Sequence, residues 1–212
     1  GAGFARFEAG DLLGIVPQGS SIPRFYSLAS ATADGFIEIV VRRQPGGLCS
    51  GQLTALERGD TALAFLRPNP AFRLDAGKAP VILIGAGSGI GPLAGFIRAN
   101  ATGRAMHLFF GMRHAASDFL YGDELAQWHG EGRLASLTTA ASRGRKPHYV
   151  QDALAAEAAE VMKLIAGGAR IMVCGGRDMA AGVSDRLSQL LAPMGLTPAM
   201  LRAEGRYLED VY

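Results

Sequence analysis

The sequence predicts two units in series, an antiparallel β-barrel followed by an α/β parallel sheet. Three observations predict this. Residues 1 to about 75 carry short apolar runs broken by Pro, Gly and Asp, the pattern of small antiparallel strands. From residue 79 onward, apolar runs of strand length alternate with helical segments, the pattern of βα units. Between them Asp75–Ala79 (DAGKA) is a polar, glycine-containing link, so the expected division is 1–77 and 78–212.

In the first unit the strand candidates are Asp11–Val16, Arg24–Leu28, Phe36–Arg42 and Thr61–Leu66. The barrel they make is expected to be incomplete at its N-terminal side. In the second unit they are Val81–Ile84, Met106–Phe110, Leu134–Thr139 and Ile171–Cys174, and Tyr149–Ala166 reads as the clearest helix. Neither unit holds an obvious complete active site, so the chemistry is expected between them.

Composition narrows the class. The chain has 212 residues, 49% hydrophobic and 19% charged, which suits a globular protein of one or two domains. A net charge of +2 makes no global case for nucleic acid as a partner. Two cysteines without CxxC spacing and four scattered histidines give no metal site. The uncharged run within Pro80–Arg98 is long enough to span a membrane, but its five glycines and two prolines make it a poor transmembrane helix. No signal peptide is recognisable, and the expected location is cytoplasmic, or the cytoplasmic face of a membrane if an upstream anchor exists.

That run, PVILIGAGSGIGPLAGFIR, is the stretch around which the chain is organised. A buried strand passes through Gly85, Gly87, Gly89 and Gly91 into a helix starting near Pro92. Backbone N–H groups converge at such a helix start and favour a phosphate. The strict G-x-G-x-x-G fingerprint fails at Ile90, and no acidic residue follows at ribose distance. Packing alone is the competing explanation. Gly46-Gly47-Leu48-Cys49-Ser50 forms a second glycine turn, with Ser50 at a candidate helix N-cap. Arg24-Phe25-Tyr26-Ser27 sets a cation, an aromatic ring and a hydroxyl on one short strand. Alternation places Arg24 and Tyr26 on one face and Ser27 on the other. An ordinary barrel exterior has the same appearance. Two phosphate cradles and this strand together suggest two nucleotides.

Taken in order, RFYSLAS (24–30), GLCSGQL (47–53), GAGSGIGP (85–92), FFGMR (109–113), AASR (140–143), YVQDAL (149–154), VCGGRDMAAGV (173–183) and RYLEDVY (206–212) resemble the ferredoxin–NADP reductase superfamily. The pattern is most similar to the C-terminal half of the diflavin reductases, in particular the sulfite reductase flavoprotein type. It covers nearly the whole chain.

The resemblance implies an FAD- and NADPH-using oxidoreductase with the following roles. Arg24 would pair with the flavin pyrophosphate, Tyr26 would lie on the isoalloxazine face, and Ser27 would bond near the flavin N5. Gly47, Leu48, Cys49 and Ser50 would cradle the same pyrophosphate, although Cys49 also reads as a small buried apolar residue. Gly87, Ser88 and Gly89 would approach the nicotinamide and pyrophosphate of NADPH. Ser142, Arg143, Arg145 and Lys146 would hold its 2′-phosphate beside Tyr149, unless they form only a solvated basic loop. Two such charge-assisted contacts would favour NADPH over NADH by on the order of 10² to 10⁴. Ser27, Cys174 and Asp210 would gather around the reacting rings, although an inert buried Cys174 is the competing explanation. Tyr212 would cover the flavin face and swing away before hydride transfer. The implied partner is an FMN-binding flavodoxin-like domain or a small electron carrier.

The chain departs from the family pattern in four places. Pro17–Pro23 is a short linker where diflavin reductases carry a helical insertion. The motif after Cys174 is shortened, with Gly176 and Arg177 where an Asp is expected. The Lys expected before Tyr149-Val150-Gln151 is displaced to Arg145/Lys146. The barrel has fewer strands than the family's, so the chain reads as a fragment whose missing strands lie upstream. A free-standing ferredoxin or flavodoxin reductase and a non-catalytic nucleotide-binding fragment are the rival readings.

Overall fold

A computed structural model describes residues 6–212. It contains a small antiparallel sheet followed by a parallel α/β sheet. β1 (Leu12–Val16) lies in the middle of the small sheet, between β2 (Arg24–Ser27) and β3 (Leu63–Arg67), antiparallel to both. Alternation puts Leu13, Ile15 and Leu66 on one face, packed with Leu28 and Cys49. Gly14 lies on the other face beneath Phe65, where an added Cβ would meet the ring at 2.5 Å. A short helix, α1 (Leu48–Leu53), follows the Gly46-Gly47 turn.

The expected strand at Phe36–Arg42 does not form. Among the described residues only one bridge, Leu28 with Ile39, joins it to the small sheet. Its Glu38 carboxylate turns instead to Arg98 and Tyr121 of the α/β domain.

The large sheet has the order β6-β5-β4-β7-β8, with every neighbouring pair parallel. Its strands are β4 (Val81–Ala86), β5 (Met106–Met112), β6 (Ser136–Ala141), β7 (Arg170–Gly175) and β8 (Tyr207–Val211). β4 is apolar on both faces because both faces are covered. Val81 and Leu83 pack with Leu93, Phe96 and Ile97 of α2 (Ile90–Arg98) and with Trp128 of α3 (Gly122–Gly130). Ile82 and Ile84 pack on the opposite side with Leu154, Val161 and Leu187. These come from α4 (Val150–Ala156), α5 (Ala158–Ala166) and α6 (Arg177–Leu191). The expected single helix 149–166 is thus two, separated at Glu157 (φ −99°, ψ 23°). The last helix is α7 (Pro198–Ala203). Among the described residues no helix is long and apolar enough to cross a membrane.

Chain order and sheet order reverse at β4. β5 and β6 lie to one side of it, β7 and β8 to the other. Ligands of such sheets bind at the carboxyl ends of the strands beside that reversal. Gly85–Gly89 and Cys174-Gly175 stand there.

Candidate functional site

The glycine run after β4 tightens into a 3-10 turn, Gly87–Gly89, and enters α2 at Ile90, two residues earlier than Pro92. Its glycines do different jobs. Gly87 has φ +55°, a left-handed conformation, and its Cα faces open space. Gly89 has an ordinary φ of −63°, but an added Cβ would lie 2.1 Å from the Cys174 carbonyl oxygen. It is glycine so that the turn can press on the end of β7. Gly91 and Gly95 face the other way, toward Val40, Ala9 and Ala29 of the N-terminal part.

Two clefts open around this turn. The first, of about 500 Å³, is lined by Arg24, Tyr26 and Ser27 of β2, Gly47–Ser50 of α1 and its turn, and Cys174. The Arg24 guanidinium is exposed, bonded only to the carbonyls of Ile22 and Pro23, and paired with no carboxylate among the described residues. Gly51 N–H makes the first bond of α1, to Gly47 O at 2.8 Å. The N–H groups of Leu48, Cys49 and Ser50 therefore precede the intrahelical ladder. Ser50 is not an N-cap. Its hydroxyl accepts from Gln44 N–H at 3.1 Å and bonds Gly47 O at 3.4 Å, closing the turn from inside the helix. Burial and the neighbouring Cys49 raise the Tyr26 phenol above its ordinary value, so it stays neutral.

The second cleft, of about 560 Å³, is lined by Gly87, Ser88, Ser142, Tyr149 and further residues at the strand ends. Ser142 and Arg143 continue the β5–β6 pairing, their N–H groups bonding the carbonyls of Met112 and Arg113 at 2.9 and 2.8 Å. Arg143, Arg145 and Lys146 sit on the exposed loop that follows, in no ion pair among the described residues. Tyr149 opens α4 and is 59% exposed, which leaves its ring available for stacking.

The clefts share a wall made of Arg42, Gln44, Ser88 and Tyr212. Residues far apart in the sequence meet at this wall and beside it. Ser27 Oγ donates to Asp210 Oδ2. Asp210 stands beside Cys174 in the β7–β8 register. Ser88 Oγ lies 2.6 Å from the Tyr212 hydroxyl, and Tyr212 N–H bonds Gly175 O. Burial raises the Asp210 carboxyl above its ordinary value, against the opposing Ser27 hydrogen bond. Burial first, and the Asp210 charge second, push the Cys174 thiol well up, so it is no thiolate nucleophile.

Lining residues that sequence reading did not single out include Arg42, Gln44, Arg113 and Asp178. Arg42 ends a run that reads as barrel strand, and Gln44 follows it. Arg113 ends FFGMR, where a cation after a strand end was the available signal. Asp178 stands in the first turn of α6 and faces the second cleft. It supplies a carboxylate close to where Gly176 and Arg177 had left one missing.

Residues 83–185 match the family described as oxidoreductase NAD-binding domain. The chain belongs to the ferredoxin–NADP reductase superfamily. This superfamily member is 38% identical over 215 residues to the sulfite reductase [NADPH] flavoprotein alpha-component of Salmonella typhi, covering 90% of this chain and 36% of that protein. The Klebsiella pneumoniae protein of the same name is 35% identical over 233 residues, covering 98% of this chain and 39% of its own. The chain thus spans little more than a third of the length of these relatives. As a reductase-superfamily member it is an NAD(P)-binding module of the flavoprotein type.

Proposed function

We propose that the chain is an NADPH-oxidising FAD reductase module that hands electrons to an FMN domain or another one-electron carrier. Its two units, divided near residues 77 and 78, would hold one nucleotide each. The observation that carries the reading is the meeting of residues far apart in sequence where the two clefts adjoin: Tyr212 stands in their shared wall, Ser27 and Cys174 line the first cleft, and Asp210 is bonded to Ser27 and paired in register with Cys174.

The residues of the first cleft fit a flavin nucleotide. Arg24 offers an unpaired cation, α1 offers free N–H groups, and Tyr26 offers a neutral aromatic face. When bound, FAD accepts a hydride equivalent and releases electrons singly. The protein's own part is positioning. Ser27, fixed by Asp210, presents its hydroxyl to the flavin edge. The neutral Cys174 thiol fills the space behind the junction. Tyr212, anchored through Ser88, covers the junction until nicotinamide displaces it. In the second cleft Gly87 lets the backbone approach the pyrophosphate, and Tyr149 stacks on adenine. Ser142 with Arg143, Arg145 and Lys146 takes the 2′-phosphate.

Binding tests the assignment without turnover. Adenosine 2′,5′-bisphosphate is expected to bind the wild type and to compete with NADPH. Arg143→Ala with Lys146→Ala should weaken it about 10²-fold while leaving 5′-AMP within about twofold. Equal loss of both ligands would contradict the 2′-phosphate role. A free-standing reductase with a soluble partner is the second reading, favoured by the short Pro17–Pro23 segment.

A further inference from the structure

The stretch that leads into Arg42 is held by a cluster outside both clefts. Glu38 places its carboxylate 2.7 Å from Arg98 Nη2, and Tyr121 donates its hydroxyl to the same carboxylate at 2.7 Å. The Arg98 guanidinium also donates to Ala29 O at 2.9 Å and lies over the rings of Phe36 and Trp128, at 5.4 and 5.6 Å. Glu38's backbone is fixed too. Its N–H bonds Ser30 Oγ and its carbonyl accepts Ala29 N–H, each at 2.8 Å. These groups come from three places: the irregular stretch 36–42, the last turn of α2 and the start of α3.

Two further observations single the cluster out. Tyr121 has φ +58°, the only positive φ at a non-glycine among the described residues. Such a backbone persists only where its surroundings over-determine it, and here they are Glu38 and the stacked Trp128. On the same helix as Arg98, Gly91 and Gly95 bring the α2 backbone against Val40, Ala9 and Ala29. An added Cβ at Gly95 would lie 2.6 Å from the Ala9 Cβ and 2.7 Å from Ala29 O. α2 therefore serves both ends of the site. Ser88 of the 3-10 turn before it lines both clefts, its own Pro92 lines the first, and its C-terminal Arg98 grips the stretch that carries Arg42 to the shared wall.

We propose that Glu38, Arg98 and Tyr121 form a positioning latch that fixes stretch 36–44 against α2 and α3, so that Arg42 and Gln44 stand between the two clefts. Its consequence for hydride transfer rests on the reductase reading above; the latch itself does not. The three groups act as a unit, because Arg98 and Tyr121 meet at one carboxylate. Loss of any of them frees the stretch without removing a group that touches either nucleotide.

Amide hydrogen exchange on the nucleotide-free chain tests the latch first. Glu38→Gln, which keeps size and loses charge, should speed exchange across 36–44 and leave β4 and β7 unchanged. Arg98→Met should do the same, and the double variant should add little to either. On FAD-loaded protein mixed with NADPH, Glu38→Gln should then slow flavin bleaching at saturating NADPH about tenfold or more, with the half-saturating concentration within about twofold of wild type. Unchanged exchange across 36–44 overturns the latch. Faster exchange with an unchanged bleaching rate overturns its positioning role. Wild-type protein that leaves FAD oxidised counts against the reductase reading alone, since the exchange comparison needs no nucleotide.

Discussion

At the scale of single residues the site rests on one half-buried carboxylate. Asp210 keeps its proton more tightly in the folded chain than in the unfolded one, because burial outweighs the Ser27 hydrogen bond. A raised folded value contributes stability below the ordinary carboxylate range and loses it as pH rises through the raised value. Asp210→Asn should therefore be at least as stable as wild type at neutral pH. That advantage should vanish on acidification below about pH 4, as followed by thermal melts. The same variant should slow NADPH-driven flavin reduction by about 10²-fold, because the carboxylate that orients the Ser27 hydroxyl becomes a neutral amide with one oxygen and an NH2 donor. Asp11 shows the opposite sign. Burial works to raise it, but Arg73 and the N–H groups of Asn69 and Glu8 outweigh burial and hold it below its ordinary value. Asp11→Ala should destabilise the chain by about 2–4 kcal/mol at pH 7, and the loss should shrink as pH falls through the lowered value. Urea melts across that range would show it.

Among the elements, the glycine turn after β4 was the most legible and was legible for a mixed reason. Sequence reading took Gly87, Ser88 and Gly89 together as a nucleotide cradle. The structure separates Gly87, which needs its backbone conformation, from Gly89, which needs room against Cys174. Gly89→Ala should cost about 2–4 kcal/mol in denaturant melts even though its φ suits alanine. Gly87→Ala should cost less and chiefly through φ. The strand expected at Phe36–Arg42 failed for a reason invisible in its alternation. Its Glu38 finds its partners in Arg98 and Tyr121, more than fifty residues away. The β-propensity of RYLEDVY was equally hidden, because an edge strand carrying Glu209 and Asp210 lacks an apolar period, yet it pairs with β7 over five residues. Helix 149–166 kept its apolar positions and split only at Glu157, where periodicity carries no signal.

At the scale of the whole molecule, the chain places two nucleotide-sized clefts on either side of one wall and ties the wall to both ends of the sequence. The family resemblance implied that Ser27, Cys174, Asp210 and Tyr212 belong together. What the resemblance could not carry was Arg42 and Gln44, which share the wall with Ser88 and Tyr212, since their placement depends on α2 packing through Gly91 and Gly95. On the proposed reading, hydride passes across this wall from NADPH to FAD. Anaerobic titration of the FAD-loaded chain with NADPH, and separately with NADH, tests it most directly. Visible flavin absorbance should be lost at far lower NADPH than NADH, on the order of 10² or more apart. An absorbance that stays unchanged under saturating NADPH, in protein that holds both nucleotides, would contradict it.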